Sequence, residues 1–204
     1  MPYKIVREFE SRVAEYAGAK YGVAVESGTA AIFLSLMLVK SRVGVGEVTI
    51  PRHTYPSVPC SIIHAGGKVV FSDIPWVGVY KLEPHNIYDS ALRFKSGMYV
   101  PQSLYCLSFH AKKHLAIGRG GMILTDDENS YNWLKKARFD GRGECDLNKD
   151  NFSMLGWNMY MTPDQAARGL MTFSILNNSG VSPDDLPVDK QGYPDLSQYE
   201  VYKQ

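Results

Sequence analysis

The sequence predicts an α/β fold, a three-layer sandwich in which a mostly parallel sheet carries helices on both faces. Two observations predict it. A strand, a polar turn and a helix follow one another twice before residue 74, and short apolar runs keep alternating with helical patterns as far as Arg138. The chain, at 204 residues, is long enough for one well-buried core.

Ile5, Phe9, Val13 and Tyr16 or Ala17 recur at helical spacing, with charged residues between them, and Gly18 stands where a helix C-terminus favours glycine. Tyr21–Val25 reads as a short buried strand. Ser27-Gly28-Thr29 breaks it, and residues 30–39 are apolar all round, the mark of a buried helix. Glu47–Pro51 is the next strand, residues 56–65 a helix stopped by Gly66-Gly67, and residues 68–73 a further strand. Pro, Gly and aromatic residues obscure any period over residues 74–84. Residues 86–89 and 104–110 read as strands. Gly118 to Gly121 then turn the chain into residues 122–125, a strand suited to lie antiparallel to its neighbour. Asp126-Asp127 caps a helix that runs to Arg138, and residues 140–155 form a polar loop. Thr162 caps a helix over residues 162–176, with Pro163 in its first turn. Residues 1–176 thus read as one large domain, and residues 177–204, rich in Pro, Asp and Gly, as a loosely ordered tail.

Lys and Arg total 22 against 21 Asp and Glu, so global charge gives no reason to expect nucleic acid or an acidic membrane as partner. The longest apolar run, residues 30–39, is too short to span a bilayer, and residues 1–10 are charged and amphipathic, unlike a signal peptide; the expected location is cytoplasmic. Cys60, Cys106 and Cys145 form no C-x-x-C pair and read as free thiols. His110 and His114 could share a helical face, but neither a His-Glu-x-x-His motif nor a third ligand accompanies them, so packing is the expected role and no metal site is predicted. The run from Lys135 to Arg138 reads as a solvated helix face.

Ligands of open α/β sheets sit beyond the carboxyl ends of the strands, and four polar groups fall there. Ser27-Gly28-Thr29 precedes a helix N-terminus, where unpaired N–H groups favour a phosphate; an ordinary N-cap would look the same. Lys113 follows a buried strand, where desolvation would lower its pKa and free the amine to attack an aldehyde; a surface lysine is the alternative. Asp89 ends a strand and could hold an aromatic ring nitrogen protonated, or simply cap a turn. Thr54-Tyr55 follows the strand Glu47–Pro51, and the tyrosine could cover a planar ligand or fill a rim.

Taken in order, these motifs resemble the DegT-type sugar aminotransferases, pyridoxal 5'-phosphate (PLP) enzymes of fold type I acting on nucleotide-linked keto-sugars. The resemblance begins at Phe9-Glu10 and runs through the segment from Tyr21 to Ala31, Glu47 to Pro51, His53-Thr54-Tyr55 and Ala65 to Asp73. It continues in the serine-phenylalanine-histidine run at Ser108-Phe109-His110, whose lysine five places after the serine is Lys113, and in the glycine-rich strand from Gly120 to Asp127. It implies Lys113 as the Schiff-base lysine, Asp89 as partner of the pyridine nitrogen and Tyr55 as the stacking ring. It implies Gly28, Thr29 and Ser108 as phosphate ligands. Gly156-Trp157-Asn158 resembles a segment whose asparagine reaches the phosphate of the other subunit, so Asn158 and a homodimer with shared sites are implied. The expected reaction moves an amino group from an amino-acid donor, glutamate first, to a nucleotide-sugar acceptor; a reduced PLP-binding protein with other or no transaminase activity is the second expectation.

The chain also departs from the family pattern. Only residues 74–88 stand where the family carries a longer segment with a further strand and helix, so the sheet is expected to lack a strand. The segment after residue 176 is too short for the family's C-terminal small domain, most of which is therefore expected to be lacking. Leu92, with Arg93 next to it, stands where the family often has a glutamine or histidine near the cofactor ring oxygen, and Tyr160 stands where it has an arginine.

Overall fold

The computed structural model describes residues 3–180, 182–187 and 192–203. In chain order they form α1 (Lys4–Ala17), β1 (Tyr21–Val25), α2 (Gly28–Val43), β2 (Glu47–Pro51), α3 (Ser57–His64), β3 (Lys68–Ser72), β4 (Tyr80–Lys81), β5 (Ile87–Asp89), β6 (Leu104–Ser108), β7 (Gly121–Thr125), α4 (Glu128–Ala137) and α5 (Pro163–Asn178). Short 3-10 turns occur at Leu147–Lys149, Leu196–Gln198 and Glu200–Tyr202.

Local chemistry sets the helix ends. Helix α1 turns Val6, Phe9, Val13 and Ala17 inward, and Gly18 closes it at a φ of 84°, a left-handed conformation that a Cβ would disfavour. Helix α2 starts where the Ser27 hydroxyl accepts the Ala30 N–H at 3.0 Å. It runs on to Val43 instead of stopping at residue 39, because Lys40 and Arg42 are good helix formers and set positive charge against the negative end of the helix dipole. Asp127 caps α4 through the N–H groups of Asn129 and Ser130, and Thr162 with Gln165 forms a capping box on α5.

Five strands pair in the order β1-β7-β6-β5-β4, and β2 pairs with β3 alongside. Strand β7 runs antiparallel to both β1 and β6, as its sequence suggested, and β5 is parallel to β6. Strand β4 is antiparallel to β5, and the continuation of β4 meets β2 through an antiparallel bridge between Thr49 and Glu83. Strands β1, β2, β3, β5 and β6 therefore share one direction, while β4 and β7 reverse it. The segment over residues 74–84 had no readable period because its strand is two residues long. That short reversed strand fills the gap between β5 and β2 where the sequence predicted a strand to be lacking.

Alternate residues of each strand feed two cores. Val23, Val25, Cys106 and Ile123 pack with α2, α3 and α4 on one face. Ala24, Tyr105, Leu107, Met122 and Leu124 pack with α1 and α5 on the other. This is the expected three-layer arrangement. The expectation of a loose tail needs correction for its described parts. Leu196 is 2% exposed, its N–H donates to the Arg52 carbonyl at 2.9 Å, Asp185 pairs with Arg93, and Tyr202 meets the ring of Phe71 edge-on. Low apolar content hid a segment fastened by ion pairs and backbone hydrogen bonds.

Candidate active site

Strands β1, β6 and β5 end at the same edge of the sheet, with the reversed strand β7 between β1 and β6, and their carboxyl ends open on a cavity of about 510 Å³, within the usual size of a small-molecule site. Ser27, Gly28 and Thr29 enter it from the N-terminus of α2, and Ser108 from the end of β6. The approach is close: a Cβ on Gly28 would lie 2.9 Å from that of Ser108, and one on Gly121 would collide with the Ser27 backbone. The two glycines let the turn lie directly against the sheet. Thr29 Oγ1 donates to Ser57 Oγ at 2.9 Å, which brings the N-terminus of α3 beside that of α2. Two helix N-termini facing one pocket favour an anion there.

Asp89, 6% exposed, borders the same cavity. Its Oδ1 accepts the Ala91 N–H at 3.0 Å, and its Oδ2 accepts the Tyr80 hydroxyl at 2.9 Å. The Tyr80 oxygen is in turn 2.6 Å from Thr54 Oγ1, and Thr54 is fully buried. Burial raises the Asp89 carboxyl above its ordinary pKa, while the Ala91 N–H, the Tyr80 hydroxyl and the charge on Lys113 pull it down. Burial likewise pushes the neighbouring Cys106 thiol up to about 12, so it stays protonated.

The loop between β6 and β7 is folded on itself by the bonds Phe109 N–H to Gly120 O and Ile117 N–H to Phe109 O. Lys113 sits within it, its N–H donating to the His110 carbonyl at 2.9 Å. Lys112 and Lys113 both border the cavity, but Lys112 is exposed and Lys113 is half-buried. Desolvation lowers the Lys113 pKa, Asp89 opposes that, and Lys112 adds to it. His114 bonds the Asp184 carbonyl at 2.7 Å.

Tyr55 lies at the mouth, 58% exposed. Asn158 is not brought to this cavity. It is exposed on another face, and its Nδ2 donates to Asp140 at 3.1 Å. Sequence reasoning missed Tyr80, Ser57, Trp76 and the tail residues Leu186, Pro187 and Tyr193. Only Ser57 carried a readable signal, a hydroxyl two places after Tyr55 at the start of a helix.

A profile of the DegT/DnrJ/EryC1/StrS aminotransferase family matches residues 1–90 and 99–179. The chain belongs to this family. Among its relatives, UDP-2-acetamido-2-deoxy-3-oxo-D-glucuronate aminotransferase of Pseudomonas aeruginosa is 31% identical over 147 residues, which are 70% of this chain and 38% of that protein. Spore coat polysaccharide biosynthesis protein SpsC of Bacillus subtilis is 29% identical over 225 residues, covering 85% of this chain and 57% of that one. The chain thus spans about half the length of the curated relatives it matches. The solved structure of DesV from S. venezuelae aligns with a TM-score of 0.71 at 21% identity, over 85% of this chain and 57% of that one, and supports the family fold.

The residues present fit PLP. Gly28 has no room for a side chain beside Ser108, as a close phosphate cradle requires, and the paired helix N-termini suit a phosphate. A buried carboxylate and a desolvated amine border the same cavity, as a ring nitrogen and an aldehyde require. Among the described residues no cluster of His, Cys, Asp and Glu could hold a metal ion, and no helix is long and apolar enough to cross a membrane.

Proposed function

We propose that this chain holds PLP through Lys113 and moves an amino group from an amino acid, glutamate first, to a nucleotide-linked keto-sugar, working as a cytoplasmic homodimer. The observation that carries the reading is the convergence of Lys113, Asp89, Tyr55, Ser108 and the Ser27-Gly28-Thr29 turn on one cavity.

PLP, when bound, supplies the electron sink that makes a proton beside the amino group removable. Gly28, Thr29, Ser108 and the N-terminus of α2 bind its phosphate. Asp89 would hold a proton on the ring nitrogen, which requires the carboxylate to stay charged despite burial; the Tyr80 and Ala91 hydrogen bonds serve that end. Tyr55, at the mouth, would cover one face of the ring. Lys113 would hold PLP through Nζ, and its desolvated amine is the group placed to move a proton at the substrate. Asn158, exposed and outside its own cavity, is assigned to the phosphate of the second subunit.

A second reading, PLP binding without transamination, rests on Leu92 and Tyr160, which stand where the family carries a glutamine or histidine near the cofactor ring and an arginine. One experiment separates the two. Protein mixed with PLP should show a visible absorption band that Lys113→Ala lacks, and glutamate should bleach it. A band that no amino acid bleaches selects the binding reading, and no band in wild-type protein sinks both.

A further inference from the structure

The family match leaves out residues 91–98 and those after 179, and these two unmatched segments are fastened to each other. Arg93 Nε and Nη2 donate to the two oxygens of Asp185 at 2.9 and 2.6 Å, Lys95 Nζ lies 3.2 Å from the same carboxylate, and the Leu186 N–H donates to the Leu92 carbonyl at 2.8 Å. The Asp185 side chain is 11% exposed, and Arg93 holds its carboxyl below the ordinary aspartate range. A two-pronged arginine–carboxylate contact at that depth is a firmer tie than an exposed ion pair. Beside it the Asp184 carbonyl accepts from His114, the residue after Lys113.

Residues 192–203 are tied to Arg52 and His53. His53 Nδ1 lies 2.9 Å from the Tyr193 carbonyl, and Leu196 is anchored on Arg52. Between the two ties, Leu186, Pro187 and Tyr193 border the cavity. The Tyr193 ring lies nearly parallel to that of Trp76, at 8° and 6.1 Å between centroids, and Trp76 is held by its Nε1 donating to the His53 carbonyl at 2.9 Å. Both rings border the same cavity as the anion-favouring pair of helix N-termini. Lys112 and Arg119 also border it, Arg119 being paired with Glu26 at 3.1 Å.

We propose that Tyr193 and Trp76 form a stacking subsite for the base of a nucleoside diphosphate, and that the Arg93–Asp185 pair is the latch that keeps this wall in place. The subsite belongs to this chain in particular, because its latch and Tyr193 lie outside the segments shared with the family. It deepens the amino-transfer reading and rests on it, since that reading is what puts a nucleotide-linked sugar in the cavity. Aromatic rings stack on bases of any identity, so the wall grips a nucleotide, and choice among bases falls to other groups.

Calorimetric titration with UDP, GDP and dTDP, and with ribose 5-phosphate as a probe lacking a base, tests it on wild-type protein with and without PLP. PLP affinity is followed in parallel by absorbance. At least one nucleoside diphosphate should bind far more tightly than ribose 5-phosphate. Tyr193→Ala should weaken it roughly ten- to a hundredfold, Tyr193→Phe should retain it, and Asp185→Asn should weaken it about tenfold, with PLP affinity within about threefold throughout. Equal nucleotide binding by wild type and Tyr193→Ala, or no nucleotide binding by wild type, overturns the subsite. Nucleotide binding that depends on Tyr193 in a protein that never takes up PLP would leave the subsite standing and remove the amino-transfer reading.

Discussion

Tyr80 donates its hydroxyl to Asp89 Oδ2 at 2.9 Å while lying 2.6 Å from Thr54 Oγ1, so a residue of the shortened connector holds the carboxylate assigned to the cofactor ring. Tyr80→Phe removes that donor and strands a buried charge. We expect a loss of about 1.5 to 3 kcal/mol in stability by denaturant titration, the range for hydrogen bonds to charged groups. The Asp89 carboxyl should also rise further, because the Tyr80 hydroxyl is one of the groups holding it down. Thr54→Val added to Tyr80→Phe should cost less than it does alone, since the two hydroxyls share one network.

Asp89→Asn separates stability from ligand binding. The buried carboxyl titrates above the ordinary 3.8, so the folded protein binds that proton more tightly than the unfolded chain. Stability therefore falls as pH rises through the window above 3.8, and it falls only where the acid is present. Thermal melts from about pH 4 to neutrality should show wild type losing ground to Asp89→Asn. PLP affinity should change in the opposite sense, weakening about tenfold or more in the variant, because the charged partner of the ring nitrogen is gone. A variant that is both less stable at neutral pH and unimpaired in PLP binding would contradict the assignment.

Lys113 should react as a desolvated amine. Its pKa lies below the ordinary 10.5, so the neutral form that attacks an aldehyde is present at lower pH than for a surface lysine. The rate of PLP band formation should rise with pH about a midpoint below 10.5. Asp89 raises that midpoint and Lys112 lowers it. Asp89→Asn should therefore shift the profile to lower pH, and Lys112→Ala slightly to higher pH, in stopped-flow traces. A profile identical in all three proteins would show that another amine is titrating.

That Lys113 borders the cavity was foreshadowed by its fixed distance behind Ser108-Phe109-His110, and the place of the Ser27-Gly28-Thr29 turn by the strand and apolar helix that flank it. Tyr80 was not, since a two-residue strand has no alternation to reveal it and its partner Thr54 is 26 residues away. Gly121 read as part of a turn, whereas its absent side chain is what admits the Ser27 backbone. The tail misled for a related reason. Its Pro, Asp and Gly content suggests a chain too polar to bury, yet Asp185 meets Arg93 across 92 positions of sequence. Pairings at that range leave no periodic trace.

Phe9-Glu10 carries the first motif shared with the family, and the structure gives Glu10 a scaffolding role away from the cavity. Its carboxylate accepts the Ala24 N–H at 2.8 Å and meets Arg138, which also bonds the Ala24 carbonyl and Glu144. The Glu10 and Arg138 side chains are 5% and 3% exposed, so α1, β1 and the end of α4 are joined by a buried ion pair. Removing one partner leaves the other charge buried alone, a destabilisation of about 3 to 5 kcal/mol, whereas replacing both by apolar residues is often close to neutral. Arg138→Met and Glu10→Leu should therefore each unfold at markedly lower denaturant, and the double variant should lose less than the sum of the two while still falling below wild type, because the Ala24 N–H and carbonyl lose their partners in it. The folded fraction of each should take up PLP with wild-type affinity. Additive losses in the double variant would mean that packing, and not the pairing of charges, is what holds these three elements together.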